Sequence, residues 1–254
     1  MESFTIGCDP EFFLKSRGKH VSAIGLIGGS KEEPKALDRE GFGILEDNVA
    51  VEFNVAPSHN HVEFIESIQY VMQELRKTLP ERYEFSKDSA IIFSPDELVH
   101  PKALEFGCEP DFNAWTKKQN PRPCALDANL RSAGGHVHIG VAGVDKWQLI
   151  RAADLFLGVP AIKLDVHGAR RRASYGKAGC CRLKEYGAEY RTLSNFWIFS
   201  EELIKWVYDQ TARAVSFVKS GNVLTDEDGL IIQKAINSED QEAYEYLTTT
   251  YQIA

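Results

Sequence analysis

The sequence predicts an α+β fold built as one domain over residues 1–254. Short segments alternate apolar and polar residues, as strands with one buried face do. Longer segments repeat apolar residues at the spacing of three and four that marks an amphipathic helix. No low-complexity stretch separates the segments, so the chain offers no linker at which to divide it.

The elements are predicted in chain order from these two periods. Strands are predicted over residues 3–14, in short pieces within 19–37 and 41–57, and over 89–95, 134–141 and 189–193. Helices are predicted over 60–78 (entered through Asn60), 145–164 (entered through Asp145), 194–219, 226–237 and 238–251. Residues 95–133 and 168–188 are predicted as loops because of their Pro, Asn, Asp and Gly content.

The composition excludes several classes of function. The net charge of −8 over 254 residues argues against a nucleic-acid-binding surface as the main role. No apolar run approaches the roughly 18 residues that span a bilayer, and the N-terminal residues do not form a secretory signal. The five cysteines lack paired zinc spacing, which favours reduced thiols and a cytoplasmic protein.

Four predicted strands each carry a pair of polar residues opposite an apolar face. Residues two apart in a strand share a face, so the pairs are Asp9 with Glu11, Glu52 with Asn54, His136 with His138, and Glu189 with Arg191. Any one pair is more simply explained by a solvated sheet face or, for the histidines, by satisfied core residues. Together they predict a divalent-metal site, because so many carboxylates repel one another unless cations lie between them.

The ligand types favour Mg²⁺ or Mn²⁺ over zinc, since carboxylate oxygens dominate and the zinc motif H-E-x-x-H is lacking. A basic segment, RRRASYGKAGCCRLK, runs into the last of the four strands. A charge run is commonly a solvated surface. Here two glycines interrupt it and a candidate metal ligand follows it, which favours contact with phosphate. No P-loop and no G-x-G-x-x-G segment opening a helix is present.

The string GGHVHIG, followed by the Gly/Arg-rich segment and then EYR, resembles the glutamine synthetase and γ-glutamylcysteine synthetase superfamily of ATP-dependent carboxylate–amine ligases. Together with GCDPEFF and VEFNVAP, it is most similar to the phage-associated carboxylate–amine ligases of type 2, over most of residues 5–200. The resemblance implies an antiparallel β-sheet whose concave polar face forms the active site, with helices packed on the other face. It also implies ATP and two or three Mg²⁺ ions, with Mn²⁺ as an alternative.

The resemblance also implies a role for individual residues. The expected metal ligands are Glu11, Glu52, His136 and Glu189; the expected catalytic residues are Asp9, Arg172 and Arg191. The expected ATP-binding residues are His138, Arg171, Arg182 and Lys184; the expected substrate-binding residues are Asn54 and Tyr175. The first strand reads D-P-E where the family more usually has E-x-E, and the second reads E-x-N where some members have a second acid, so the number of ions stays open. Asp9, Glu109 and Asp111 are candidates for the general base.

The predicted function is therefore an ATP- and Mg²⁺-dependent ligase that joins a carboxylate to an amine through an acyl phosphate. The expected partners are a small-molecule or peptide carboxylate and an amine, and no membrane or nucleic acid is expected. A guanidino-kinase-like phosphotransferase and a non-catalytic protein that binds nucleotide and metal are the alternatives, and a metal-dependent hydrolase is a third. The sequence predicts neither the two substrates nor the oligomeric state.

Overall fold

The computed structural model of the chain describes residues 4–104, 111–121 and 127–253. Within these ranges the fold is α+β, with antiparallel sheets and packed helices, as the sequence predicts at this level. The strands, numbered in chain order, are β1 Thr5–Cys8, β2 Glu11–Ser16, β3 Lys19–Val21, β4 Lys35–Ala36, β5 Gly43–Asp47, β6 Ala50–Asn54, β7 Tyr83–Ser86, β8 Ala90–Ile92, β9 Phe112–Asn113, β10 Lys118–Gln119, β11 Leu130–Ser132, β12 Val137–Gly140, β13 Cys180–Lys184 and β14 Gly187–Tyr190.

Two sheets organise these strands, and all their pairings are antiparallel. The first sheet has the order β1-β12-β14-β13-β9-β10, and the second has the order β3-β2-β6-β5-β4 with β7 paired to β2. Strands β8 and β11 form a separate pair. The prediction of one strand over residues 3–14 is therefore wrong, because β1 and β2 lie in different sheets.

The chain crosses between the two sheets at Asp9 and Pro10. Proline has no N–H to donate to a strand ladder, so the pairing of β1 ends before it. The sheets stay in contact here, since the backbone N–H of Glu11 donates to the carbonyl of Gly134 over 2.8 Å, just before β12. This crossing brings the polar residues of both sheets together.

The helices begin where their capping residues predict. Asn60 caps α1 by accepting from the backbone N–H of Glu63, and Asp145 caps α2 by accepting from Trp147 and Gln148. The helices are α1 His61–Thr78, α2 Lys146–Ala153, α3 Val159–Leu164, α4 Ala169–Ser174, α5 Glu201–Lys219, α6 Asp226–Ser238 and α7 Gln241–Tyr251. A π-helical turn, Asp154–Gly158, joins α2 to α3.

Three predicted boundaries differ from the structure. The predicted loop at 168–188 contains helix α4 and strand β13, because its buried arginines bind backbone and carboxylate groups inside the protein. The predicted helix over 194–219 is divided into a 3₁₀ turn, Asn195–Phe199, and α5. Of the predicted loop 95–133, the described part contains two 3₁₀ turns, Pro95–Leu98 and Pro101–Leu104, and three short strands.

The apolar faces of both sheets join one core with the helices. Val137 and Ile139 of β12 and Val51 and Phe53 of β6 are fully buried in it. Helix α5 packs against α1 and α2. Each large apolar side chain buried in this way contributes roughly 1.5–3 kcal/mol. A second apolar cluster lies between the π-helical turn, α6 and α7.

Within the described ranges, no helix is both long and apolar enough to cross a membrane.

Candidate metal and anion site

Three strands of the first sheet place functional side chains in one row. His138, Glu189 and Arg182 are directly paired across β12, β14 and β13. Directly paired residues of an antiparallel sheet project to the same side, so an imidazole, a carboxylate and a guanidinium share one face. The opposite side chains of β12, Val137 and Ile139, are buried in the core, as the alternation in the sequence predicts.

The first group of candidate metal ligands, the histidine group, comprises Asp9, His136 and Glu189. One ligand atom from each of these residues lies within 4.8 Å of the other two. Nδ1 of His136 is 3.3 Å from Oδ1 of Asp9 and 3.9 Å from Oε1 of Glu189. His136 and Glu189 are almost fully buried, at 2% and 1% exposure.

The second group, the carboxylate group, comprises Glu11, Asp47 and Glu52, again with one ligand atom each within 4.8 Å. Glu11 on β2 is directly paired with Glu52 on β6. Asp47 ends β5, where Leu45 is the residue paired with Glu52. Three carboxylates on the same face of neighbouring strands repel one another, which costs stability unless a cation lies between them.

A hydrogen bond joins the carboxylate group to the segment that carries His136. The backbone N–H of Gly134 donates to Oε2 of Glu11 over 2.9 Å, and Gly134 lies two residues before His136. Asp9 and Glu11 therefore belong to different groups, although the sequence predicts that they share one strand face. The site lies at the seam between two sheets and not on one sheet.

The protonation behaviour of the two groups differs. Burial, with the neighbouring Asp47 charge, raises the pKa of Glu11 to about 7. Burial and the Glu11 charge raise the pKa of Glu52 well above its ordinary value. Burial alone would also raise the pKa of Asp9, but hydrogen bonds with His136 and His138 hold it well below the usual range. The carboxylate group is therefore the one that lacks sufficient positive charge nearby.

Buried carboxylate oxygens without hydrogen-bond partners support a cation in both groups. Among the described residues, these atoms include Oε2 of Glu52 in the carboxylate group and Oε2 of Glu189 in the histidine group. Buried polar atoms are almost always paired in folded proteins. An oxygen-rich group of three carboxylates suits Mg²⁺ or Mn²⁺, and the histidine group suits Mn²⁺ or Mg²⁺ with bound water.

Arg191 lies beside the histidine group, where its guanidinium contacts four side chains of the described residues. It donates to a carboxylate oxygen of Glu189 and to the hydroxyl of Tyr175. Its guanidinium is also 3.3 Å from Nδ1 of His136 and 3.7 Å from Oδ2 of Asp111. Burial and the Arg191 charge together lower the pKa of His136 to about 4. His136 is therefore neutral at pH 7, which is the form that binds a metal.

Two further cationic side chains form ion pairs with Glu189. Arg182 and Lys184 each form an ion pair with Glu189 over 3.3 Å. They extend from β13 on the side of the site that the row of paired residues defines. The structure thus brings Arg182, Lys184 and Arg191 together around Glu189. Cations held in this way suit an anionic ligand such as phosphate or carboxylate.

Two arginines that the sequence predicts in the site are directed elsewhere. Arg171, expected to bind ATP, is fully buried and donates to the backbone carbonyls of Thr192 and Arg191. Arg172, expected to be catalytic, pairs with Asp165 over 3.5 Å and with Glu239 over 2.5 Å. Both guanidinium groups hold secondary-structure elements together and neither is among the side chains around Glu189. These two expectations are corrected by the structure.

The remaining predicted residues lie at the margins of the site. Asn54 shares its strand face with Glu52, and its amide donates to the carbonyl of Gly41 over 2.9 Å. Tyr175 reaches the site through its hydroxyl contact with Arg191. Asp111, one candidate general base, accepts from Asn120 over 3.0 Å and from the Cys180 thiol over 3.0 Å. Glu109, the other outer candidate, lies outside the described residues.

Sequence reasoning missed three residues of the site. Asp47 was predicted only as part of the strand pieces within 41–57, although it ends a strand that is joined by a short turn to the strand carrying Glu52. Lys31 lies 2.8 Å from Asp47 although sixteen residues separate them in sequence, and nothing local signals this pair. The hydroxyl of Tyr186 lies 2.8 Å from Nδ1 of His138, whose Nε2 is 3.1 Å from Asp9. Only Asp47 could have been found from the strand pattern.

The glycines before the histidine strand are filled by protein groups. A Cβ on Gly134 would collide with the His136 ring, and one on Gly135 would collide with the carbonyl of Ser194 and lie 2.6 Å from Nε1 of Trp197. These two glycines therefore allow close packing within the protein.

Residues 126–243 match the family model described as phage phiEco32-like COOH.NH2 ligase-type 2. The match covers less than half of the chain, and it includes His136, His138, Glu189 and Arg191 but not the carboxylate group. No curated protein matches the sequence. Among solved structures, a bifunctional glutathione synthetase from Pasteurella multocida is similar over 99% of this chain with 9% identity and a TM-score of 0.43. The chain spans about half of that protein, 47% of its length. The comparisons therefore establish that β12 and β14, with the adjoining His136 and Arg191, lie in a segment similar to carboxylate–amine ligases of type 2.

Proposed function

We propose that this protein is an ATP- and Mg²⁺-dependent ligase that joins a carboxylate to an amine. The observation that carries the proposal is the meeting of two groups of metal ligands with three cations at one seam. The similarity of residues 126–243 to carboxylate–amine ligases supports the same reaction class. Burial raises the pKa of the thiols of Cys8, Cys180 and Cys181, which does not favour a thiolate nucleophile.

In the proposed reaction, an oxygen of the carboxylate substrate attacks the γ-phosphorus of ATP, and the bond to ADP breaks. The amine nitrogen then attacks the acyl carbon, the bond to phosphate breaks, and the amine loses a proton. Mg²⁺ bound by the two groups would supply positive charge next to the phosphate oxygens. His138 would lie beside the nucleotide.

The residues of this chain would contribute position and charge. Arg191, fixed by Glu189 and Tyr175, would present its guanidinium to the transferring phosphoryl group or to the substrate carboxylate. Arg182 and Lys184 would contact the ATP phosphates from β13. Asn54, at the margin of the carboxylate group, and Tyr175 would contact the substrate.

The proposal is tested with hydroxylamine as the amine probe. The purified protein is incubated with ATP, Mg²⁺, hydroxylamine and a panel of carboxylic acids, and ADP, phosphate and hydroxamate are measured together. A ligase releases phosphate and hydroxamate in equal amounts, and only when acid and amine are both present. The variant Glu189→Gln should lose this turnover, whereas Lys15→Met, which changes a surface ion pair with Asp88, should keep it.

Other outcomes would replace the proposal. ADP formation with a stable phosphorylated acceptor and no phosphate release would indicate a phosphotransferase. Binding of ATP·Mg²⁺ without turnover over the whole panel would indicate a non-catalytic protein. Phosphate or ester hydrolysis without ATP would indicate a metal-dependent hydrolase.

A further inference from the structure

Lys31 is a cation that the ligase proposal does not use. Its ammonium lies 2.8 Å from Oδ2 of Asp47, the outermost member of the carboxylate group. Burial would lower the pKa of Lys31, but Asp47 and then Glu52 and Glu11 raise it, so the side chain stays charged. Lys31 thus supplies positive charge to a group of three carboxylates.

The segment that carries Lys31 is fixed close to β5. The carboxylate of Glu46 accepts hydrogen bonds from the backbone N–H groups of Ile27 and Gly28 over 2.9 and 2.8 Å. Gly29 has a positive φ of 80°, and a Cβ there would lie 2.7 Å from the carbonyl of Ile44. Only glycine allows this close approach to the strand. The backbone near Lys31 therefore holds the lysine within reach of Asp47.

The lysine side chain itself is easily displaced. Its side chain is 45% exposed, and that of Asp47 is 24% exposed. Partly exposed ion pairs between flexible side chains contribute little. Glu52, in contrast, retains a buried carboxylate oxygen without a hydrogen-bond partner. A divalent cation can contact all three carboxylates at once, which the single Lys31–Asp47 contact does not match.

We propose that Lys31 is the resident counter-cation of the carboxylate group, and that a divalent metal ion displaces it when the ion binds to Glu11, Asp47 and Glu52. The histidine group has cations of its own, since Arg191, Arg182 and Lys184 each form an ion pair with Glu189. Lys31 therefore lowers the Mn²⁺ affinity of the carboxylate group and leaves that of the histidine group unchanged. This inference concerns metal binding in the absence of ATP, so it stands or fails separately from the ligase reaction.

The experiment is a titration of the metal-free protein with Mn²⁺, followed by electron paramagnetic resonance of free Mn²⁺ and by calorimetry. Two sites are expected. Glu189→Gln should remove the site of the histidine group and Glu52→Gln the site of the carboxylate group, which assigns each site to its group.

Substitution of the lysine then tests its role. Lys31→Met should strengthen Mn²⁺ binding at the carboxylate group about two- to fivefold, as expected for loss of a competing partly exposed ion pair, and should leave binding at the histidine group unchanged. Lys31→Arg keeps the charge and should bind Mn²⁺ as the wild type does. The matched control is Lys15→Met, since Lys15 forms a similar ion pair with Asp88, 2.6 Å away and outside both groups.

Several results would overturn the inference. Unchanged or weaker Mn²⁺ binding at the carboxylate group of Lys31→Met would show that the lysine does not compete with the metal ion. Equal effects of Lys31→Met and Lys15→Met would show only a change in overall charge. Wild-type Mn²⁺ binding that Glu52→Gln leaves unchanged would show that the carboxylate group binds no metal ion, which removes the displacement altogether.

Discussion

Glu189 is the carboxylate on which the cations of the site converge. It contacts Arg191, Arg182 and Lys184 and is also a member of the histidine group. Glu189→Gln keeps the shape of the side chain but removes its charge. We expect at least about a 100-fold loss of ATP-dependent turnover, the usual scale for removing one electrostatic group from an active site.

The control for this variant lies on the same hairpin. Glu185 is exposed in the turn between β13 and β14, and Glu185→Gln should retain activity. Circular dichroism and thermal unfolding check that both variants are folded. Wild-type turnover in folded Glu189→Gln protein, measured as ADP release, would refute the role of this acid.

Asp154 is a buried acid behind the site with a separate pH dependence. It accepts hydrogen bonds from Trp115 over 2.7 Å and Tyr190 over 2.8 Å. Burial nevertheless raises its pKa to about 7. In the unfolded chain an aspartate ionises near pH 4, so between about pH 4 and 7 the folded state binds more protons. The contribution of Asp154 to stability therefore decreases as the pH rises through this window.

Asp154→Asn isolates this contribution, because asparagine does not titrate. The free energy of unfolding of the wild type minus that of the variant should decrease from pH 4 to pH 7, by at most about 1.4 kcal/mol per pH unit. Urea unfolding at several pH values measures this difference. A difference that stays constant or increases with pH would show that Asp154 is ionised throughout.

Among the elements, β12, together with His136 just before it, shows most clearly what local sequence can predict. The alternation of His136, Val137, His138 and Ile139 places the histidines opposite the core, and the structure confirms this. Helix α1 and its cap at Asn60 follow from a pattern that needs no distant partner. Strand β13 was not predicted, because its alternation places Cys180, Arg182 and Lys184 on one face, which matches neither an apolar nor a purely charged strand face. Its pairing with β14 and β9 joins residues that the local sequence does not connect.

Gly135, just before β12, tests how closely this part of the chain is packed. A Cβ on Gly135 would collide with the Ser194 carbonyl, whereas one on Gly7 of the neighbouring strand would meet its nearest atoms at 3.6 Å and 3.8 Å. Gly135→Ala should lower the free energy of unfolding by about 1–3 kcal/mol, the range for overpacking. Gly7→Ala should change it much less. Equal values for the two variants in urea unfolding would contradict this account.

At the scale of the whole molecule, the site depends on how two sheets meet. The sequence predicts the acids and histidines individually, but which sheet each strand joins depends on pairings between residues far apart in the chain, such as Glu11 with Glu52 and Cys8 with Val137. Pro10 marks the crossing, yet a proline alone does not reveal that two sheets lie on either side of it. Arg171 and Arg172 were placed in the site for the same reason, since their partners are brought near only by the complete fold.

In the metal-free protein, the carboxylates that lie together where the sheets meet lower the free energy of unfolding. Glu52 and Glu11 are directly paired, and like charges in this position are unfavourable by roughly 0.2–1 kcal/mol. Glu52→Gln should therefore unfold at a higher temperature than the wild type when metal is removed by a chelator.

With Mn²⁺ present at about 100 times the dissociation constant of the carboxylate group, binding to that group should stabilise the wild type by about 2.7 kcal/mol. The variant should lose this increment and keep the one due to the histidine group. Thermal unfolding of both proteins with and without Mn²⁺ measures all four values, and a variant that is less stable than the wild type without metal would show that Glu52 has a favourable partner in the metal-free fold.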